Sequence, residues 1–310
     1  MLNVKGITKY YGDFLALDDL SFELDRSQVV GLIGPNGAGK STAMNILSGA
    51  ISASQGSIDF NGKQIRQSTS EWKSNVGFLP EQVPIYSDMT VSEFLSFSAD
   101  LKKILPEDKD NYIRDASVRL GLVDVLDNYC GNLSKGFKQR LGLATAILAK
   151  PTWIILDEPL SGLDPEQVIQ IRSLIQDLKS DHSILISSHN LSELESLCDR
   201  AIILVKGKKR ADQSIRELLG KEQSLMSFRL EFRDNPSLLM ALECLEELKL
   251  NFSQVNKFST DICFDSELEM DRCLLKLLSQ GVGLVGVNRN RVKLEDVFIS
   301  ALKDNEDALL

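Results

Sequence analysis

The chain has no apolar run long enough to cross a bilayer. Its longest runs are short pieces such as Trp153 to Leu156 and Ala201 to Val205, against the roughly 20 residues that a membrane helix needs. The opening stretch, Met1-Leu2-Asn3-Val4-Lys5-Gly6, lacks the charged and then apolar pattern of a secretory signal. Cysteine is sparse and unpatterned. Cys130, Cys198, Cys244, Cys263 and Cys273 are odd in number and none sits in a C-x-x-C pair, which argues against both a disulfide framework and a zinc site. There is no basic excess either. A formal net charge of -9 is poorly suited to holding a nucleic-acid backbone by counterion release, so no nucleic-acid partner is expected. Internal repeats and low-complexity tracts are also missing. Together these absences set the expectation of a cytosolic chain with free thiols, reaching a membrane only through a partner.

What is present is organised around Gly34-Pro35-Asn36-Gly37-Ala38-Gly39-Lys40-Ser41-Thr42. The stretch matches G-x-x-x-x-G-K-[ST], a phosphate-binding loop. Its flanks fit. Val29 to Ile33 is an apolar run that reads as a buried strand entering the loop. Ala43, Met44, Ile46 and Leu47 recur at helical spacing, so a helix leaves it. Glycines let successive backbone N–H groups converge on one concavity, and the helix N-terminus adds partial positive charge there. Lys40 is placed to reach the β- and γ-phosphates and the Ser41 hydroxyl to ligate Mg²⁺. Upstream, an aromatic of the Tyr10-Tyr11 pair reads either as sheet packing or as a surface on which a base stacks.

Further along, Val76 to Leu79 reads as a strand broken by Pro80. Thr90 and Glu93 form a capping-box pattern, and helical spacing continues from there to Tyr129. Ser134 and Gly136 open a helix rich in Leu and Ala, again presenting donors suited to an anion. Trp153-Ile154-Ile155-Leu156-Asp157-Glu158 is an apolar run closed by two carboxylates. That pattern fits a buried parallel strand whose C-terminal end meets a site. Asp157 is placed to hold Mg²⁺ through water, and Glu158 to polarise an attacking water. Ser183 to Ser188 is another buried strand, ending at His189, which taken alone reads as a capping or core histidine. The strand Ala201 to Val205 precedes a turn at Gly207 and a helix expected over 212–220. From Lys221 the order strand, helix, strand, strand, helix, strand suggests a ferredoxin-like α+β domain, closed by an acidic tail from Asp304. The expected domains are 1–220, with a helical insert over about 83–150, and 221–310 as a small accessory domain.

Taken together, residues 1 to about 220 resemble the ATP-binding subunit of an ABC transporter. The resemblance rests on the phosphate loop, on Leu133-Ser134-Lys135-Gly136-Phe137 in the place of the family signature, and on Asp157-Glu158 closing the second Walker motif. Ser161-Gly162-Leu163-Asp164 stands as the D-loop and His189 as the switch histidine. It implies an α/β P-loop cassette with a mixed sheet core, an antiparallel β subdomain and a helical subdomain. It also implies ATP and Mg²⁺ as cofactors, with Tyr11 stacking on adenine and Gly34 to Thr42 holding the phosphates. Glu158, His189 and Lys40 become catalytic, and Ser41 and Asp157 hold the metal. Ser134, Lys135 and Gly136 act on the γ-phosphate of a second cassette, identical or not, and Asp164 belongs to the D-loop. The family usually has glutamine where this chain has Glu81, with Gln82 next, so either residue can fill the Q-loop role and complete the metal site. The signature, and the ending Leu294-Glu295-Asp296-Val297-Phe298-Ile299, resemble a bacterial and archaeal exporter-like subfamily served by a separately encoded permease. That implies attachment to the cytoplasmic face of the membrane through this partner. The alternative is a soluble ABC-type ATPase acting on ribosomes or DNA. The single cassette and the lack of a long heptad run argue against it.

Overall fold

A computed structural model of the chain describes residues 1–65, 69–222, 226–248 and 250–289, together with Leu294, Glu295 and Phe298. The acidic tail from Asp304, and Asp296, Val297 and Ile299 of the subfamily-like ending, lie outside the described residues. Met1–Ile215 gathers into one compact unit and Arg216–Ser300 into a second.

In the first unit, β1 (Leu2–Tyr11) and β2 (Phe14–Leu24) form a long hairpin that turns at Gly12-Asp13. The fully buried β3 (Val29–Ile33) leads into α1 (Lys40–Leu47). Next come β4 (Gln55–Phe60), β5 (Lys63–Ile65), α2 (Ser70–Asn75) and β6 (Val76–Leu79). A helical segment follows, made of α3 (Val91–Leu101), α4 (Pro106–Arg119) and α5 (Lys135–Ile147). The chain then returns through β7 (Trp153–Leu156), α6 (Pro165–Leu178), β8 (Ser183–Ser187), α7 (Leu191–Leu197), β9 (Arg200–Val205) and β10 (Lys208–Ser214).

Two sheets result. One is antiparallel in the order β2-β1-β4-β5. The other has the order β10-β9-β3-β8-β7-β6, parallel from β9 to β6 with β10 antiparallel at its edge. This is the α/β cassette architecture expected. The central strands β3, β7 and β8 are mostly apolar and buried at every position, as a sheet covered on both faces demands. One core packs Leu17, Leu20 and Ile58 of the antiparallel sheet, Met44 and Ile46 of α1, and Val30, Ile155 and Ile202 of the mixed sheet. It fixes α1, and with it the phosphate loop, between the two sheets. The capping box is formed: the Glu93 N–H donates to Thr90 Oγ1 and the Thr90 N–H to Glu93 Oε2.

One expected element is corrected. Asp212 to Ser214 are strand, and the helix α8 (Ile215–Glu222) begins only after them. The edge of β9 decides this, pairing Ser214 with Arg200 and Asp212 with Ile202. The Arg200 Nε–H donates to Asp212 Oδ1 at 2.6 Å and anchors the register. A weak local helical preference yields to a row of ladder hydrogen bonds.

The second unit contains β11 (Met226–Phe232), α9 (Asn235–Glu247), β12 (Asn251–Asn256), β13 (Ser259–Phe264), α10 (Glu267–Ser279) and β14 (Leu284–Arg289). The sheet order is β12-β13-β11-β14, the ferredoxin-like arrangement. Its core joins Leu230 and Phe232 of β11, Ile262 and Phe264 of β13, Leu238 and Leu245 of α9 and Leu277 of α10. Leu245 is fully buried, so Leu245→Ala is expected to cost about 2–5 kcal/mol of this unit's stability. Urea unfolding of the intact chain, followed by far-UV dichroism, checks it.

Candidate active site

The C-terminal ends of β3, β7 and β8 converge on one cavity of about 540 Å³. Its floor is the phosphate loop from Asn36 through Thr42. Tyr11, Phe14 and Ala16 of the hairpin form one side, and Glu81, Glu158, Ser161 and His189 form the other. Most of the expected nucleotide and catalytic residues are thus brought together. Gly34 and Pro35 lie at the start of the loop and do not line the cavity.

The loop is curled by Gly37 and Gly39, whose φ values of 78° and 102° lie in the left-handed region. Gly39 serves as N-cap of α1 without any side-chain cap, so the first turn keeps free N–H donors for an anion. Lys40 is only 8% exposed. Its Nζ donates to Gly34 O at 2.7 Å and to Pro35 O at 3.2 Å, so the ammonium is folded back over its own loop. Burial lowers its pKa below the usual lysine value, against the opposing pull of the Glu158 and Asp157 carboxylates.

Opposite the loop, Glu158 occupies a left-handed backbone conformation, φ 50°, which costs a non-glycine residue about 1–2 kcal/mol. Its Oε2 accepts from His189 twice, from Nδ1 at 2.7 Å and from the backbone N–H at 3.2 Å. Nδ1 therefore points its proton at the carboxylate, leaving the Nε2 side of the ring free to face the cavity. The Glu158 side chain is 13% exposed and the His189 ring 63%, so the carboxylate is sheltered while the ring reaches into the open cavity. Asp157 stands behind, buried, accepting a 2.6 Å hydrogen bond from Ser187 Oγ.

The other expected residues lie elsewhere. Ser134, Lys135 and Gly136 do not line the cavity. Ser134 caps α5, its Oγ accepting from the Phe137 N–H. The Lys135 ammonium rests against Gly162, and Gly136 packs on the Gln167 side chain of α6. Asp164 caps α6, accepting from the Gln167 N–H at 2.9 Å. Of the two Q-loop candidates, Glu81 lines the cavity and Gln82 does not.

Phe14 and Ala16 line the cavity with no role expected from sequence, and Ser161 of the D-loop joins them. Phe14 is 65% exposed and pairs with Tyr11 across the hairpin. The turn at Gly12-Asp13 between two apolar runs was the signal that could have placed it. Lys9 Nζ lies 5.2 Å from the centroid of the Tyr11 ring, a cation–π contact.

The family model for ABC transporters matches residues 17–161, the span from the hairpin through the phosphate loop to Ser161. Over 305 residues the chain is 30% identical to the ABC transporter ATP-binding protein YxlF of Bacillus subtilis, covering 97% of this chain and 99% of that protein. The chain belongs to the ABC transporter ATP-binding family. This cassette is also 30% identical to the bacitracin transport ATP-binding protein BcrA of Bacillus licheniformis, over 97% of each chain. Among solved structures it resembles the ATP-binding subunit of an ABC transporter, with TM-score 0.64 and 28% identity, covering 72% of this chain and 93% of that one. A similar likeness is to cbiO1 of Clostridium perfringens, part of the ABC transporter complex cbiONQ, with TM-score 0.65 and 26% identity, covering 72% and 91%. The cassette is an ATP-binding subunit with ATPase activity coupled to transport. Cassettes of the family dimerise and act with a membrane permease. Among the described residues, no helix is long and apolar enough to cross a membrane.

Proposed function

We propose that this cassette powers an exporter. It would do so from the cytoplasmic face of the membrane, through a separately encoded permease, at an ATP site completed by a second cassette. The observation that carries the reading is the separation of parts. Glu158, His189 and Lys40 share one cavity, whereas the signature residues at the start of α5 stand outside it. A γ-phosphate seated on the loop of one copy then meets Ser134, Lys135 and Gly136 only from another copy. Similarity to a protein named for bacitracin transport supports a drug-like cargo.

In this reading the backbone donors of Gly34 to Thr42 hold the phosphates, and Tyr11, with Phe14 beside it, receives the base. Lys40 leaves its loop carbonyls for the β- and γ-phosphates. Ser41, Asp157 and Glu81 offer the hard oxygen donors that suit Mg²⁺, which supplies neutralisation of charge on the transferring phosphoryl group. Glu81 is assigned the Q-loop role over Gln82 because it faces the cavity. Glu158 accepts a proton from the attacking water, and His189 orients that carboxylate and reaches the γ-phosphate. Asp164 sets the D-loop at the start of α6. Residues 1–220 act as the cassette and 221–310 as an accessory domain.

A second, smaller groove of about 240 Å³ lies beside the Q-loop, walled by Phe78, Val83, Pro84, Tyr86, Phe94, Phe97 and Leu101. Tyr86 is 56% exposed and its ring meets Phe97 edge-on at 5.6 Å. This apolar groove is where a permease helix docks in the proposal. Co-purification with the membrane subunit tests it: Tyr86→Asp is expected to weaken capture at least about tenfold, as loss of a central aromatic anchor does. Undiminished capture removes the groove from the interface. Export itself is tested in vesicles carrying both subunits, where ATP added on the cassette side must drive solute away from that side.

A further inference from the structure

Ser187, the last residue of β8, is fully buried and is spent on the Asp157 carboxylate and the Glu158 backbone. Its Oγ–H donates to Asp157 Oδ1 at 2.6 Å. The same oxygen accepts the Glu158 N–H at 2.9 Å. A serine hydroxyl has one proton to give, and here it goes to Asp157 Oδ1, which holds that carboxylate turned in one direction. The acceptor side holds the peptide between Asp157 and Glu158 at the point where Glu158 takes φ 50°, a conformation that persists only when its surroundings enforce it. On the far side, the Asp157 N–H donates to Leu79 O of β6 at 2.9 Å. The turn carrying both carboxylates is thus pinned between its two neighbouring strands. Two residues beyond Ser187, His189 takes the Glu158 carboxylate itself.

We infer that Ser187 is a positioning residue for ATP hydrolysis: one buried hydroxyl aims Asp157 and sets the backbone of Glu158, so that metal-side and water-side carboxylates keep a fixed relation. The inference rests on the roles proposed above for Asp157 and Glu158. Neighbouring Ser188 provides the internal control. It too is buried, but its Oγ donates to Glu193 Oε2 at 3.1 Å and accepts the Asn190 N–H at 3.0 Å, touching neither carboxylate.

The test uses the full chain and compares Ser187→Ala, Ser187→Thr and Ser188→Ala with the parent. Ser187→Ala is expected to lower kcat about tenfold, the scale of one lost hydrogen bond to a charged group. ATP affinity measured in excess chelator should stay within about twofold, while the gain in affinity on adding Mg²⁺ shrinks by at least about threefold. Ser187→Thr, which keeps the hydroxyl, should recover both quantities. Ser188→Ala should match the stability loss of Ser187→Ala without its kinetic loss. Unchanged kcat and an unchanged Mg²⁺ response in Ser187→Ala overturn the inference, as does an equal kinetic loss in Ser188→Ala or a threonine variant no better than alanine. If Ser187→Ala does not fold, Ser187→Cys takes its place under the same criteria. Glu158→Gln measured alongside separates the two levels. Full turnover there overturns the underlying reading, whereas turnover lost in Glu158→Gln and kept in Ser187→Ala overturns the inference alone.

Discussion

Glu158→Gln is expected to lower steady-state ATP turnover by at least about 10²-fold, the scale of a lost general base, while ATP affinity stays within about threefold of the parent. The geometry gives the reason. The Glu158 carboxylate is sheltered on the cavity wall, and its Oε2 is already engaged by His189. In the proposed mechanism it accepts the proton of the attacking water, and among the described residues its side-chain hydrogen bonds go to His189 and not to the phosphate loop. The amide keeps the shape and can still accept from His189 through its carbonyl oxygen, but it cannot take a proton from water. Binding should survive because the loop donors and Lys40 are untouched. Phosphate release and titration with a fluorescent ATP analogue check the two halves separately. Wild-type turnover in the variant removes Glu158 from the chemistry.

The second large effect is expected at Gly34. A Cβ built there lies 2.5 Å from Leu204 O and 2.8 Å from the Ala38 methyl. The first neighbour is backbone of β9 and the second belongs to the phosphate loop itself, so neither can swing aside as a flexible side chain would. Gly34→Ala must therefore displace the loop from β9, where the Gly207 N–H also reaches Ala38 O. ATP affinity is expected to fall about 100-fold, because several convergent donors move together, with an overpacking cost of about 1–3 kcal/mol in stability. Nucleotide titration and thermal unfolding measure these. Ala introduced at Gly62, where nothing stands within 4 Å of the added carbon, should leave ATP affinity unchanged. If Gly34→Ala binds ATP normally, the close approach to β9 is not what shapes the loop.

Much of the cassette was legible because its catalytic groups sit at the ends of short aliphatic runs. Val29 to Ile33, Trp153 to Leu156 and Ser183 to Ser187 can only be strands covered on both faces. Whatever follows such strands in a parallel sheet lies along one edge. The phosphate loop and Asp157-Glu158 could therefore each be read as the edge of a site, while His189 joined them only through the family resemblance. Local pattern failed where the partner strand decides. Lys208 to Ser214 carries no apolar alternation and is strand only because the edge of β9 accepts it. Phe14 reads as an ordinary strand residue until hairpin register sets it opposite Tyr11.

The sequence by itself determined the order of the motifs, the chemistry each can perform and the apolar runs that deliver them, because residue type and spacing are local properties of the chain. Only the tertiary structure decided which of those groups meet. It folded Lys40 back on its own loop, turned Glu81 rather than Gln82 toward the cavity, and left Ser134, Lys135 and Gly136 outside it. It also turned Ser187, a hydroxyl at the end of a buried strand, into a tie between the Asp157 carboxylate and the Glu158 backbone N–H, 30 and 29 positions away. Contacts of that kind depend on how parallel strands stack in register, and no spacing within either segment records it.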